Sequence, residues 1–210
     1  MILISLIILA YLLGSIPSAV WYGKIFHNID VREHGSKSAG ATNTLRILGN
    51  KAGFIVLFFD FLKGFIATDL VYFYNEIQHN TSEFYQFQMI FGILAVVGHI
   101  YPVFANFKGG KGVATLLGLI VALDYRIALI CLIVFILVVW ISKYISLGSI
   151  SGGMISPFVA GYLYNWNEPV IIGFCIFFAI MLVYTHRSNI KRLMNGNENK
   201  FSFKKKEKSL

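Results

Sequence analysis

Six stretches of this chain contain no Asp, Glu, Lys or Arg: 1–23, 84–107, 112–123, 127–141, 144–167 and 169–185. About 20 apolar residues in a helix cross the hydrocarbon of a bilayer, and several of these stretches are that long. A water-soluble globule has no means of burying them all. Only 13% of the 210 residues are charged and 57% are hydrophobic, whereas a soluble domain is about a quarter charged. The chain reads as one all-α integral membrane domain. Its first stretch lacks a basic flank and leads straight into polar chemistry, so it reads as a retained helix rather than a leader. Cys131 and Cys175 sit singly in separate apolar stretches, which argues against a disulfide or metal framework and for small core residues.

Basic residues predict which connections face the cytoplasm. The connection 21–51 carries Lys24, Arg32, Lys37, Arg46 and Lys51; a short turn adds Lys108 and Lys111, and another adds Lys143. From Arg187 onward, eight basic residues stand against Glu198 and Glu207, giving +6 of the net +8. The connections at 75–84 and around Glu168 have no Lys or Arg. All basic connections fall on one side if seven helices alternate: 1–23, 53–74, 85–106, a short leg and its return within 112–141 turning at 124–126, then 144–164 and 168–186. This predicts an outside N-terminus and a cytoplasmic C-terminus. The transmembrane domain would be 1–190, with a basic cytoplasmic tail at 191–210.

Four polar patches then share one face. The loop 32–46, "REHGSKSAGATNTLR", mixes glycine, hydroxyls and cations. It suits phosphate oxygens, and it also satisfies the charge rule for a plain cytoplasmic loop. The stretch 106–115, "NFKGGKGVAT", wedges two lysines and three glycines between apolar helices. It is no Walker A loop, because Gly112 follows Lys111. Gly109, Gly110 and Gly112 permit close backbone approach to an anion beside Lys108 and Lys111, at the start of a helix. The plainer reading is a tight turn with interfacial lysines. In 142–153, "SKYISLGSISGG", small residues suit helix packing. In 185–193, "THRSNIKRL", His186 and Asn189 are three apart and share a helical face. Within the spans, Asp60 and Lys63 are expected to pair. His99 reads equally as a hydrogen-bonded bundle residue or a ligand contact.

These stretches, with "GSIPSA" at 14–19, "GHIYPVFANFKGGKGVAT" at 98–115 and "HRSNIKRL" at 186–193, resemble in order the bacterial acyl-phosphate:glycerol-3-phosphate acyltransferases of the PlsY type. The likeness runs through nearly the whole chain up to the tail. One departure is that Lys37, Ser38 and Ala39 stand where that family commonly has Gly, Asn and Pro. The resemblance implies a seven-helix bundle in the bacterial inner membrane, with its site facing the cytoplasm, that moves a fatty acyl group from acyl phosphate to glycerol 3-phosphate, giving 1-acyl-glycerol 3-phosphate and phosphate. It assigns Ser36, Asn43, Arg46 and Lys108 to phosphate binding, with Gly109, Gly110 and Gly112. It assigns Lys111, Ser149, His186 and Asn189 to catalysis.

The residues suit that chemistry. Acyl phosphate is already activated, so direct attack by a hydroxyl needs no covalent acyl-enzyme. None of the five histidines has an acidic residue five positions on, so the His–Asp dyad of soluble-type glycerolipid acyltransferases is absent. The base is then His186 or a substrate phosphate oxygen. No metal or other cofactor is expected. Expected partners are the two substrates, membrane lipid and the soluble enzyme that makes acyl phosphate, with no nucleic acid. The rival class is a transporter or channel for a phosphorylated anion; it calls for polar residues through the bundle, whereas here they crowd one face.

Overall fold

The structure, a computed structural model, describes residues 1–79 and 81–201, and all its regular elements are helical. The end of the basic tail, 202–210, lies outside the described residues. The chain divides into two compact units, Met1–Arg126 and a second that begins at Ile127.

In the first unit, α1 (Ile2–Gly14) and α2 (Ser18–His27) replace the single expected helix over 1–23. They meet at 47°. The reason is Pro17, which has no N–H to donate and disfavours helical backbone at Ile16. Next come α3 (Ala41–Leu48), α4 (Asn50–Asp69), α5 (Ser82–Ile100) and α6 (Val113–Leu123). The helix α4 is the hub, packing on α1, α3, α5 and α6. Its contact with α6 is reciprocal. A Cβ added at Gly64 would strike the Thr115 carbonyl, and one at Gly118 would strike the Phe61 carbonyl. Apolar attraction to lipid does not distinguish one helix pairing from another, so such backbone-close contacts gain the dispersion that does. Far from these contacts, Phe84 and Phe91 fill a cluster with Leu6, Ala10, Leu70 and Val71.

The second unit contains α7 (Tyr125–Ser142), whose first two residues close the first unit, then α8 (Ile145–Leu163), α9 (Pro169–Thr185) and α10 (Arg187–Met194). Gly148 and Gly152 lie one helical turn apart on α8 and face Phe135, Val139 and Cys131 of α7. The glycines of "SLGSISGG" therefore serve packing. A lipid-type face is plain on α7, where Ile133, Ile136, Leu137 and Trp140 are exposed.

Among the described residues, two helices have the length and apolar composition to cross a bilayer alone, Ser82–Ala105 and Tyr125–Ser142. Counting the bent pairs α1–α2 and α9–α10 as one span each raises this to four. The other expected crossings are α4, α6 and α8. Lys51, Asp60, Lys63 and Asp69 interrupt α4, α6 has 11 residues, and α8 is diluted by serine and glycine.

Candidate active site

The first unit builds its site on two loops. Residues 28–40 fold around one buried amide, Asn43, 1% exposed. Its Oδ1 accepts from the Ser36 N–H at 2.8 Å and from Ser36 Oγ at 3.0 Å. Its Nδ2 donates to the carbonyls of Val31, His34 and Ser38 at 2.8, 3.1 and 3.1 Å. Asn43 was expected among the phosphate ligands; its polar atoms are occupied in shaping the loop that presents Ser36. The Ser36 and Arg46 side chains lie in exposed positions. Lys37 has φ 58°, the left-handed region that favours glycine. The departure at this position therefore puts a residue with a Cβ where glycine costs nothing.

The second loop, 101–112, folds back over the end of α5. Gly109 N–H donates to the Ile100 carbonyl and Gly110 N–H to the His99 carbonyl, each at 3.1 Å. These N–H groups are engaged within the turn, so close approach by Gly109 and Gly110 is toward α5. A Cβ on Gly110 would run into His99 Nε2. Gly112 has φ 80° and precedes α6. Lys108 is exposed and Lys111 half-buried.

Hydrogen bonds tie the two loops together. Arg32 grips the Asp30 carboxylate with Nε and a terminal nitrogen at 2.9 and 2.7 Å. Its other terminal nitrogen donates to the Ala105 carbonyl at 2.8 Å. Ala39 N–H reaches the Gly109 carbonyl at 3.4 Å. The Arg32 hydrogen bond holds the Asp30 carboxyl well below the usual carboxylate range, with burial opposing. Five expected phosphate-site residues of this unit, Ser36, Arg46, Lys108, Gly109 and Gly110, and the expected catalytic Lys111, thus lie on two linked loops or on the helix that follows the first.

In the second unit, Ser149, His186 and Asn189 are 6%, 2% and 5% exposed. His186 stands at the bend between α9 and α10, with Nδ1 2.8 Å from the Leu182 carbonyl. That contact makes Nδ1 the donor, so the neutral ring carries its lone pair on Nε2. Ser149 Oγ donates to Ile145 O at 3.0 Å. Glu198, which sequence reasoning counted only as tail charge, accepts from Asn189 Nδ2 at 2.7 Å, Ser146 Oγ at 2.9 Å and Arg192 Nε at 2.7 Å. Its side chain is 6% exposed. Burial pushes this carboxyl up, but the three hydrogen bonds outweigh burial and its pKa is lowered. Its polar, aperiodic surroundings in the sequence gave no signal of this role.

The family model for glycerol-3-phosphate acyltransferase matches residues 4–196. The glycerol-3-phosphate acyltransferase of Fusobacterium nucleatum is 41% identical over 197 residues, covering 94% of this chain and 97% of that one. The relative of the same name from Bacillus cytotoxicus is 43% identical over 203 residues, 97% of each. A crystal structure of PlsY, an integral membrane glycerol 3-phosphate acyltransferase, in its glycerol 3-phosphate form superposes with a TM-score of 0.80 at 37% identity, covering 95% of this chain and 96% of that one. Its lysophosphatidic acid form gives 0.77 at 36%, covering 96% of each. With the linked cationic loops, the buried His–Asn pair and this agreement over nearly the whole length, the chain belongs to the glycerol-3-phosphate acyltransferase family of the PlsY type.

Proposed function

We propose that the protein transfers a fatty acyl group from acyl phosphate to glycerol 3-phosphate, forming 1-acyl-glycerol 3-phosphate and inorganic phosphate for phospholipid synthesis. The observation that carries this reading is the bonding of one cationic, glycine-rich loop to another, through Arg32 to the Ala105 carbonyl and Ala39 to the Gly109 carbonyl. Two phosphate-bearing substrates need such paired cationic surfaces.

The glycerol hydroxyl oxygen attacks the acyl carbonyl carbon. The bond from that carbon to the phosphate oxygen breaks, and phosphate leaves with the electron pair. The hydroxyl proton passes to a phosphate oxygen of the substrate. Lys111 and Arg46 neutralise charge as phosphate departs. Ser36 and Lys108 add phosphate contacts. Ser149, His186 and Asn189 orient the hydroxyl and phosphates, with Glu198 fixing Asn189. Asn43, Gly109, Gly110 and Gly112 shape the loops that carry these groups.

Seven helices cross the bacterial cytoplasmic membrane, with the N-terminus outside and the site and tail inside. A soluble enzyme supplies the acyl phosphate. Cysteine introduced at Ser38 or Gly110 is then labelled from the cytoplasmic side, and at Thr81 from outside; labelling of Gly110 and Thr81 from one side refutes this arrangement. The reaction is tested with purified protein, labelled glycerol 3-phosphate and three donors: acyl phosphate, acyl-CoA and acyl-carrier protein. Turnover with acyl phosphate alone, unaffected by a chelator, is expected. Robust turnover with acyl-CoA overturns the donor assignment.

A further inference from the structure

Beneath the glycine turn lies a charged cluster that the proposed chemistry does not use. Asp60 and Lys63, one turn apart on α4, pair at 2.9 Å with side chains 2% and 5% exposed. Lys63 Nζ also donates to the Ile16 carbonyl at 2.8 Å, and Ser18 Oγ donates to Asp60 Oδ1 at 3.0 Å. The pair therefore satisfies the break between α1 and α2, where Pro17 interrupts the helical ladder. His99 lies on the other side of the carboxylate, its Nδ1 3.5 Å from Asp60 Oδ1. That distance is long for a hydrogen bond, and Nδ1 has no closer partner. The far ring nitrogen, Nε2, fills the space a Gly110 Cβ would need.

The imidazole is thus a spacer between a fixed carboxylate and the turn. Burying an ion pair is expensive, and the best attested return is geometric specification. Gly110 is bonded to the His99 carbonyl as well, and Lys111 is the next residue. We propose that His99, seated on the Asp60–Lys63 pair, is a positioning residue for Lys111. It sets how far the lysine-bearing turn stands from α5, and Gly110 is glycine because the imidazole occupies its Cβ space. This inference rests on the reading of Lys111 as a phosphate contact.

The test compares wild type, His99→Ala, His99→Gln, Gly110→Ala and the double variant His99→Ala/Gly110→Ala, with acyl phosphate and glycerol 3-phosphate each varied. A displaced Lys111 weakens its grip on one phosphate. His99→Ala should raise the KM of one substrate by about 10-fold while kcat changes by less than about 3-fold. His99→Gln, which keeps a polar group above Asp60, should recover most of this. The double variant should be less impaired than Gly110→Ala alone, because the new methyl enters the space left by the imidazole. Multiplicative losses in the double variant would overturn the proposal, since independent sites behave that way. So would a fall in kcat at unchanged KM that tracks loss of folded protein. Absence of turnover in the wild type would instead sink the functional reading; wild-type turnover with multiplicative losses sinks the positioning inference alone.

Discussion

In the first unit the polar residues assigned to substrate are a serine and long cations on loops or, for Arg46, on α3, and an amide, Asn43, ties the backbone of the first loop. In the second unit they are short, neutral and buried, and a carboxylate, Glu198, ties the side chains themselves. The choice of tie follows from donor arithmetic. An amide both donates and accepts, so Asn43 can close a loop of backbone carbonyls and N–H groups with no charge buried. A carboxylate only accepts, so Glu198 collects donors and needs Arg192 to balance it. The first arrangement leaves charge at the loop surface. The second fixes the direction of uncharged groups.

If that contrast is right, Glu198→Ala is the most damaging change to folding. It strands Ser146, Asn189 and the Arg192 charge, at a cost of about 3 kcal/mol. Unfolding in detergent measures it, and Glu198→Gln, which retains an acceptor oxygen, should lose less. Acid should act the same way. The folded carboxyl titrates below its ordinary 4.5, so its stabilisation is complete above that pH and is lost as pH falls through the folded value. Glu198→Gln should flatten this part of the stability profile. An unchanged profile would mean that the carboxylate is not the tie.

Lys111→Ala should leave stability nearly intact and remove a charge-assisted hydrogen bond of roughly 1.5–3 kcal/mol, or about 10- to 150-fold in kcat/KM. Lys111→Arg should also be impaired, because a planar guanidinium has the wrong shape for a point contact in a tight turn. Normal kinetics in Lys111→Ala would move the phosphate contact to Lys108 or Arg46. Asn43→Ala should cost about 2 kcal/mol by leaving loop carbonyls unpaired, read as faster proteolysis between residues 31 and 40. A variant that loses activity with an intact loop would make Asn43 a ligand after all. The smallest effect is favourable: Lys37→Gly should relieve left-handed strain worth about 1 kcal/mol, read as a small rise in unfolding temperature.

The boundaries of α6 to α9 were legible because uncharged stretches end where charge begins, whereas the short α3 was not read, because its polar loop sequence carries no long apolar stretch. The Asp60–Lys63 pair was legible from spacing and depth. The break after Gly14 was present as Ile16–Pro17 but masked by the unbroken apolarity around it. The glycine turn was readable as a site of close approach; what approaches was not, because the partner, His99, lies on the preceding helix and only folding brings it under Gly110. Glu198 was hidden for a different reason. It sits in "NGNENK", a polar stretch with no periodicity, and its donors come from α8 as well as α10. Asn43 sits in a Gly/Ser/Thr-rich segment where its type alone fits both a brace and a ligand, and only the carbonyls around it decide.

The helix α6 has 11 residues, a rise of about 16 Å, and the hydrocarbon layer is about 30 Å thick. As one of the seven proposed crossings, the helix therefore leaves one end well short of a surface, whichever way it points. It cannot slide to compensate, because Gly64 and Gly118 lock it against α4 at backbone distance. The membrane has to yield instead, by thinning or by admitting water beside the short helix. The turn bearing Lys111 is fixed to one end of this helix and the Asp124–Arg126 corner to the other. Bilayer thickness thus becomes a variable of the reaction. Lipids of different chain length should shift turnover even when they are not substrates, so the physical state of the membrane would feed back on an enzyme whose proposed product is itself a membrane lipid.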